Sequence, residues 1–338
     1  MTEEEKEELF NDLYDSMLKR KKGVRWKPQV KAYLAFGAER IHKVTEKIAV
    51  DKYESSVPKT IPLYYPKRRE AQAINFRDRI YQGYLTDKYV YEAVTSSFIF
   101  PNVASQVGKG PDIARKILKK YLWNYYCKHG NSGYILQIDI RKYYESIPKE
   151  KALKMFESKL PSTIYKKIEE ILTVQYPNKF FAGSQLVQIL GVGYLDKLDH
   201  FIKEELGIRY YIRYQDDFIL IHHNKDKLIR AREEIKRFLN TIGLELNYGK
   251  THIRELKKQF FFLGFYYVFQ DNGRVWMKIN PERVKHIRKV MKKNPDCLEP
   301  FLAHLKKGNS YKLIRRLQHE NNIKRRTGKK KTDRTVRE

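Results

Sequence analysis

The sequence predicts a mixed α/β (α+β) protein with more than one subdomain, and three observations support this fold class. The 338 residues are 41% hydrophobic, which is enough to bury a large core. Between residues 121 and 270, strand-like apolar runs alternate with helical spacing in the order β-α-α-β-β-α-β. After Met277 the chain becomes helical and basic, which predicts a separate helical unit.

The N-terminal part of the chain is predicted to be helical. Thr2 precedes three glutamates, and anions stabilise the positive end of a helix dipole, so a helix should begin there and end near residues 20–23. A second helix is predicted over residues 28–50 from apolar side chains at helical spacing. Together these helices form an N-terminal extension over residues 1–54.

Strand and helix signals alternate after this extension. Residues 61–70 predict a hairpin, and helices should begin near Asn75 and at Pro111, because proline is favoured in the first turn of a helix. Apolar residues at helical spacing predict three further helices, over residues 150–175, 190–206 and 228–242. The segments between these helices carry the residues that indicate chemistry.

The most informative segment is the tetrapeptide Tyr-Gln-Asp-Asp at residues 214–217. Aromatic and β-branched residues flank this short polar break, which predicts two strands joined by a tight turn. Two adjacent carboxylates, Asp216 and Asp217, repel each other unless a cation holds them. Oxygen ligands of this kind suit a divalent ion such as Mg²⁺, although paired aspartates are also ordinary turn residues.

A third carboxylate, Asp139, ends an apolar strand-like run that follows Gly133. Carboxylates on two neighbouring strands can bridge two magnesium ions, with Mn²⁺ as the alternative metal. Two metals about 4 Å apart activate an attacking hydroxyl group and stabilise a departing pyrophosphate, which is the chemistry of nucleotidyl transfer. We therefore predict that Asp139, Asp216 and Asp217 are catalytic metal ligands.

The composition indicates the class of partner. Lys and Arg number 69 against 40 Asp and Glu, a formal charge of +29, so nucleic acid is the first candidate. The two cysteines, Cys127 and Cys297, form no metal-ligand pattern and favour a reducing cytoplasm. The acidic N-terminus shows no signal peptide, and no apolar run is long enough to span a membrane.

The order of the motifs resembles the palm of reverse transcriptases. Asp139 is followed five residues later by Tyr144, then by Tyr-Gln-Asp-Asp and by Phe-Leu-Gly-Phe at residues 262–265. The resemblance implies a right-hand polymerase fold with fingers, a palm whose mixed or antiparallel sheet carries helices on one face, and a helical thumb. After the extension at 1–54, the implied units are fingers at 55–120, palm at 121–270, thumb at 271–321 and a basic disordered tail at 322–338.

The resemblance also implies roles for residues around the metals. The backbone carbonyl of Ile140 would be a further metal ligand. The ring of Tyr144 would lie under the sugar of the incoming nucleotide and exclude ribonucleotides, with Tyr143 as the alternative for this position and an ordinary core role as the alternative for Tyr144. Lys250 would either protonate pyrophosphate or support the active-site loop.

Basic residues in the fingers would bind the triphosphate. One residue of the run Lys67–Arg69 is expected to do so, with Lys67 and Arg69 preferred, since cations neutralise charge on phosphate oxygens. Gly264 would permit a tight turn next to the primer backbone. Template or primer contacts are implied for Gly183, Ser184, Tyr214, Leu263 and Gly264.

One motif departs from the family pattern. Relatives carry glycine, proline and a Thr-Ser pair where this chain has Lys179, Phe181 and Leu186-Val187, whereas Gly183 and Gln188 are retained. Two hydroxyl groups that could bond the template are therefore missing, and Gln188 is expected to contact the nucleotide. We expect a restricted template or a simple product.

This combination resembles the bacterial group II intron-like lineage, close to defence-associated and diversity-generating retroelement reverse transcriptases. It implies an RNA-directed DNA polymerase that uses deoxynucleoside triphosphates to copy a dedicated non-coding RNA into cDNA in antiphage defence. Alternatives are a mutagenic retroelement enzyme with a small accessory protein, template-independent or protein-primed synthesis, and an RNA-binding scaffold with a polymerase fold. Self-association stays open.

Overall fold

The computed structural model describes residues 1–64 and 68–335, without the side chains of Arg69 and of residues 324–335. Helix α1 (Glu3–Arg20) begins after Thr2, as predicted. The Glu5 amide donates to the Thr2 hydroxyl at 3.2 Å, and the Thr2 amide donates to the Glu5 carboxylate at 2.8 Å. This reciprocal cap pairs two amides at the start of the helix, where intrahelical partners are missing.

The prediction of one helix over residues 28–50 is wrong. The chain forms α2 (Pro28–Leu34) and α3 (Gly37–Ala49), separated by Phe36, whose φ of −125° is not helical. A Cβ atom at Gly37 would lie 3.2 Å from the side chain of Met17. The break therefore places the start of α3 directly against α1, which a continuous helix would not do.

A hairpin follows, as predicted, and it consists of β1 (Lys59–Leu63) and β2 (Arg69–Ala73). The side chain of Asn75 then accepts a hydrogen bond from the Asp78 amide at 2.8 Å and caps the next helix. Three helices follow in this part of the chain: α4 (Phe76–Leu85), α5 (Tyr91–Thr95) and α6 (Pro111–His129).

The central sheet has four antiparallel strands in the order β4-β5-β3-β6. Its strands are β3 (Tyr134–Asp139), β4 (Tyr210–Tyr214), β5 (Asp217–His222) and β6 (His252–Glu255). The tetrapeptide at residues 214–217 thus joins two paired strands, and Asp139 ends the strand beside them, as the sequence predicts.

The helices between these strands are more broken than predicted. Pro161 separates two helices where the sequence predicts one over 150–175, and the helix predicted over 190–206 begins earlier and is interrupted at Leu195. The six helices are α7 (Tyr143–Ser146), α8 (Lys149–Glu157), α9 (Ser162–Gln175), α10 (Gln185–Tyr194), α11 (Asp196–His200) and α12 (Lys225–Thr241).

A second antiparallel sheet and three helices complete the described chain. The strands are β7 (Phe260–Phe262), β8 (Phe265–Phe269) and β9 (Val275–Ile279). The helices are α13 (Pro281–Lys293), α14 (Leu298–Leu305) and α15 (Tyr311–Thr335).

The prediction of a disordered tail at residues 322–338 is wrong as far as Thr335, because helix α15 continues to that residue. Lysine and arginine are good helix formers, so a basic composition alone does not end a helix. Within the residues that the structure describes, no helix is both long and apolar enough to cross a lipid bilayer.

The central sheet is buried on both faces. Phe218 and Leu220 of β5 join one hydrophobic core with α8–α12 and the N-terminal helices, whereas Ile219 and Ile221 join a second core with α6, the second sheet and α13–α15. Because successive strand residues point to opposite faces, one strand contributes to both cores. The expected mixed architecture is confirmed, and burial on both faces fixes the position of the β4–β5 turn.

Candidate active site

The turn between β4 and β5 contains only Gln215 and Asp216, since Tyr214 pairs with Asp217. Gln215 has a φ of +57°, in the left-handed region that residues other than glycine seldom adopt. Such a conformation persists only where the surroundings hold it in place, and it often occurs at functional sites. The polar break in the sequence is therefore a tight turn at the end of the sheet.

The carboxylates meet at this end of the sheet. Asp139 pairs with Asp217 in the β3–β5 register, and side chains of directly opposed residues lie on one face with Cβ atoms about 5 Å apart. Asp139 and Asp216 also line one cavity of about 1160 Å³, together with Ile140. The structure thus brings the three predicted acidic residues to one place.

The loop before β6 holds the carboxylate of Asp139. Lys250 Nζ donates to Asp139 Oδ1 at 2.6 Å, and Asn247 Nδ2 donates to Asp139 Oδ2 at 2.7 Å. Asp139 is only 7% exposed, so these two donors offset the cost of burying its charge. Sequence reasoning missed Asn247, although an amide three residues before Lys250 was a usable signal.

The two tyrosines after Asp139 have different surroundings. Tyr143 is 3% exposed and its hydroxyl group donates to the Gly191 carbonyl oxygen, so it is part of the core. Tyr144 is partly exposed in the cavity, and its hydroxyl donates to Gln215 Oε1 at 2.6 Å. Burial raises the pKa of Tyr144, so the hydroxyl stays protonated and can donate this bond. Tyr144 is therefore better placed than Tyr143 to touch a nucleotide.

The basic residues of the hairpin are partly outside the described residues. Lys67 is one of these, and so is the side chain of Arg69. Arg68, between them, lines the cavity of the carboxylates, as does Lys179 of the altered motif. The hairpin therefore reaches the candidate active site.

The altered motif starts helix α10. Ser184 Oγ accepts a hydrogen bond from the Val187 amide at 2.9 Å, so Ser184 caps the helix. Leu186 and Val187, which replace the family's hydroxyl pair, are fully buried. A Cβ atom at Gly183 would lie 2.4 Å from the Gln72 carbonyl oxygen of β2, so the hairpin backbone approaches the motif closely.

Gln188 lies in a different cavity from the carboxylates. Its neighbours there include Gly183 and Ser184, and the cavity, of about 850 Å³, lies between α10 and the N-terminal helices. Gln188 does not line the cavity of Asp139 and Tyr144. Its expected contact with the nucleotide is therefore not supported. The wall of this second cavity carries Lys19, Arg20, Lys27 and Arg79 against Asp87, so its net charge is positive. Asp87 pairs with Arg20 at 2.9 Å and with Lys19 at 3.7 Å.

The Phe-Leu-Gly-Phe motif forms the tight turn between β7 and β8, as predicted. Leu263 and Gly264 have φ values of +46° and +88°, and Arg115 donates to the Leu263 carbonyl oxygen at 3.3 Å. Leu263 and Tyr214 both pack, partly exposed, against the second core. This turn and the end of β4 therefore pack against the same core, and neither Leu263 nor Tyr214 lines the cavity of the carboxylates.

A buried ion pair lies directly beneath the β4–β5 turn, and the sequence analysis missed it. Arg213 and Asp199 are both inaccessible to solvent, and Arg213 Nε donates to Asp199 Oδ1 at 2.6 Å. Arg213 Nη1 also donates to the Gln215 carbonyl oxygen at 3.1 Å, and Tyr211 donates to Asp199. Burial raises the pKa of Asp199, and the Arg213 guanidinium opposes that effect.

The donor atoms of the site match a divalent metal in chemical type. Carboxylates and a backbone carbonyl are hard oxygen ligands, which suit Mg²⁺ or Mn²⁺. Over residues 1–64 and 68–335, however, no group of three His, Cys, Asp or Glu side chains is close enough to hold a metal ion. Both oxygens of Asp139 accept hydrogen bonds from Lys250 and Asn247, so metal binding requires local rearrangement.

Comparisons with known proteins agree with this geometry. A family model described as "Reverse transcriptase (RNA-dependent DNA polymerase)" matches residues 67–267, more than half of the chain. Protein P of duck hepatitis B virus, strain United States/DHBV-16, is 31% identical over 133 residues, which cover 34% of this chain and 15% of that protein. Protein P of strain China is 31% identical over 34% of this chain and 16% of that protein. The alignments thus span about a sixth of these relatives.

Proposed function

Since the chain belongs to the reverse transcriptase family, we propose that it is an RNA-directed DNA polymerase that makes cDNA from deoxynucleoside triphosphates. The observation that supports this most directly is the single cavity that Asp139, Asp216 and Tyr144 line, with Asp217 opposite Asp139 in the sheet. The acidic residues and the sugar-facing ring that a DNA polymerase needs are therefore adjacent.

Asp139, Asp216, Asp217 and the Ile140 carbonyl would hold two divalent ions, Mg²⁺ or Mn²⁺. When bound, such ions lower the pKa of the attacking hydroxyl and neutralise charge on the phosphates. Lys250 is half exposed beside Asp139, so its ammonium group would lie within reach of a phosphate of a nucleotide bound next to this carboxylate. There it would neutralise or protonate the departing pyrophosphate.

The ring of Tyr144 would select deoxynucleotides by excluding a ribose 2′-hydroxyl. The backbone of α10 packs against one side of this ring, because a Cβ atom at Gly191 would lie 2.7 Å from Tyr144 Cε1. The ring cannot move back to admit a larger sugar without displacing α10. Tyr143, behind it in the core, would fix the same segment.

The remaining predicted contacts divide between the two cavities and the second turn. One of the hairpin residues Lys67, Arg68 and Arg69 would bind the triphosphate, and the primer would lie along Leu263, Gly264 and Tyr214. The template strand would run along the basic second cavity, past Gly183, Ser184 and Gln188. In this arrangement residues 55–120 are the fingers, 121–270 the palm and 271–321 the thumb.

The biological role that we propose is antiphage defence with a dedicated non-coding RNA as template, in the bacterial group II intron-like lineage. The resemblance to that lineage supports a restricted template. Leu186 and Val187, which replace the family's hydroxyl pair, are fully buried, so they would act through the packing of α10 and not through contact with a template strand. The cytoplasm is the proposed compartment, because Cys127 and Cys297 are free thiols.

The test of the activity is a double replacement of Asp216 and Asp217 by Asn. We expect loss of nucleotide incorporation with RNA binding retained, because the fold and basic surfaces remain. Asp15→Asn, which removes one exposed carboxylate from α1, is the matched control. Unchanged incorporation in the double variant would refute the site assignment.

The template is identified by sequencing the RNA that co-purifies with the wild-type protein and the cDNA made from it after Mg²⁺ and deoxynucleotides are added. One dedicated RNA with a defined cDNA supports the proposed role. Bound RNA without any cDNA favours the scaffold alternative instead.

A further inference from the structure

Gln215, the residue between tyrosine and the two aspartates of the tetrapeptide, has specific partners on three sides. Its Oε1 atom accepts the hydroxyl proton of Tyr144 at 2.6 Å, and its Nε2 atom donates to Ser105 Oγ at 3.2 Å. Its backbone carbonyl oxygen accepts a hydrogen bond from buried Arg213 at 3.1 Å. The side-chain amide is thus oriented by a donor at one end and an acceptor at the other.

The backbone of Gln215 requires this support. A φ of +57° is unfavourable for a side chain with a Cβ atom, yet glycine, the residue that would relax the turn, is not used. Ser105 has a similar φ of +51°. Gln215 and Ser105, both with positive φ, are therefore joined by the side-chain amide of Gln215, which a glycine would lack.

The hydrogen bond to Tyr144 restricts the ring that faces the nucleotide. Gly191 blocks one side of this ring, since a Cβ atom there would lie 2.7 Å from Tyr144 Cε1, and Gln215 fixes the hydroxyl end. Without the amide, the ring could rotate about its side-chain torsions towards the space that Gln215 occupies. A ring that moves aside no longer excludes a 2′-hydroxyl.

Gln215 also connects the two cavities. Gln215 and Tyr144 line the cavity of the carboxylates, whereas Ser105 lines the basic cavity beside α10. A displacement of the Ser105 loop would therefore be transmitted through one amide to Tyr144. The same turn carries Asp216, so the ring and the carboxylate are fixed to one element.

We propose that Gln215 is a specificity-determining residue, which positions the Tyr144 ring through its side-chain amide and thereby sets the discrimination between deoxynucleotides and ribonucleotides. This proposal rests on the proposed polymerase function. It assigns to Gln215 a role that does not involve contact with the metal or the triphosphate.

The test is a double-mutant cycle with Gln215→Asn and Tyr144→Phe. Asparagine tolerates a positive φ and keeps an amide, but it is one methylene shorter and cannot reach the Tyr144 hydroxyl. The ratio of kcat/KM for a deoxynucleotide to that for the matching ribonucleotide is measured for the wild type, both single variants and the double variant. Ser158→Ala, which removes an exposed hydroxyl that lines neither cavity, is the control.

Each single variant is expected to lower the discrimination ratio by about three- to tenfold, the value of one neutral hydrogen bond. The double variant should be no worse than either single variant, because both changes remove the same bond. The loss should arise from a lower KM for the ribonucleotide. An unchanged ratio in Gln215→Asn, or additive losses in the double variant, would overturn the proposal.

A second cycle makes the result independent of polymerase activity. The urea midpoint of unfolding is measured for the same four proteins. If the hydrogen bond exists in solution, the two single changes lower the midpoint and the double change lowers it no further. Additive effects on the midpoint would refute the contact itself, even in a protein that fails to incorporate any nucleotide, so the two proposals are tested separately.

Discussion

Replacing Arg213 by methionine should destabilise the protein by about 3–5 kcal/mol, because it leaves the buried carboxylate of Asp199 without its counter-charge. Both side chains are completely buried, so solvent cannot compensate. The change also removes the donors to the carbonyl oxygens of Val192 and Gln215. Since folded proteins are usually stable by about 5–15 kcal/mol, the variant should fold, but with a small margin.

The pH dependence of this variant gives the sharper result. Burial already raises the folded-state pKa of Asp199 above its ordinary value of 3.8, and loss of Arg213 raises it further. The folded protein then binds more protons than the unfolded chain. Its stability therefore falls as the pH rises from the ordinary pKa of Asp199 through the raised folded-state pKa. The Arg213→Met protein should therefore become more stable relative to the wild type as the pH is lowered from 7 towards 5.

Urea unfolding at several pH values measures both effects. The matched control is Arg213→Met combined with Asp199→Leu, in which both charges of this buried pair are removed. At pH 7 this double variant should regain most of the free energy of unfolding that Arg213→Met loses. Its stability relative to the wild type should be the same at pH 7 and at pH 5. A loss below about 1 kcal/mol in Arg213→Met, or a double variant that is less stable than the single one, would refute the reasoning.

Two further changes test the site and the altered motif. Tyr144→Ala should admit ribonucleotides in a primer-extension assay, because it opens the space beside Gly191, and unchanged discrimination would mean that the ring does not face the sugar. Val187→Ser, which restores a family hydroxyl at a position that is 0% exposed, should lower stability by about 1–3 kcal/mol in urea unfolding without widening template use. A variant that is as stable as the wild type and copies arbitrary RNA would contradict the second expectation.

The sequence predicted the strands and turns around the candidate site where these depend on local pattern. The turn at residues 214–217, the strand ending at Asp139 and the turn at Leu263–Gly264 all follow from alternation of apolar residues around short polar breaks. Each of these signals is contained within a few consecutive residues. They are therefore visible without any knowledge of the tertiary structure.

The sequence failed where the outcome depends on distant contacts. Asp199 and Arg213 are fourteen residues apart, and nothing in either segment shows that both lose all contact with solvent. Gln188 is expected from its motif to contact the nucleotide, whereas in the structure it lines the second cavity, a position that the motif alone does not report. The break between α2 and α3 lies next to Gly37, which packs closely against Met17 of α1, a contact that helical spacing alone does not report.

Gly183 allows the backbone of the hairpin to lie very close to the start of α10. The Gln72 carbonyl oxygen lies so close to this position that even one methyl group would push the two backbones apart. Both residues also line the basic cavity, so its width there is a distance between main chains. Substitution of the surrounding side chains could change the charge and polarity of this cavity, but not its width at this point. If a template strand binds there, as we propose, substitutions would change which groups the strand contacts, whereas the width of the cavity at Gly183 would stay the same.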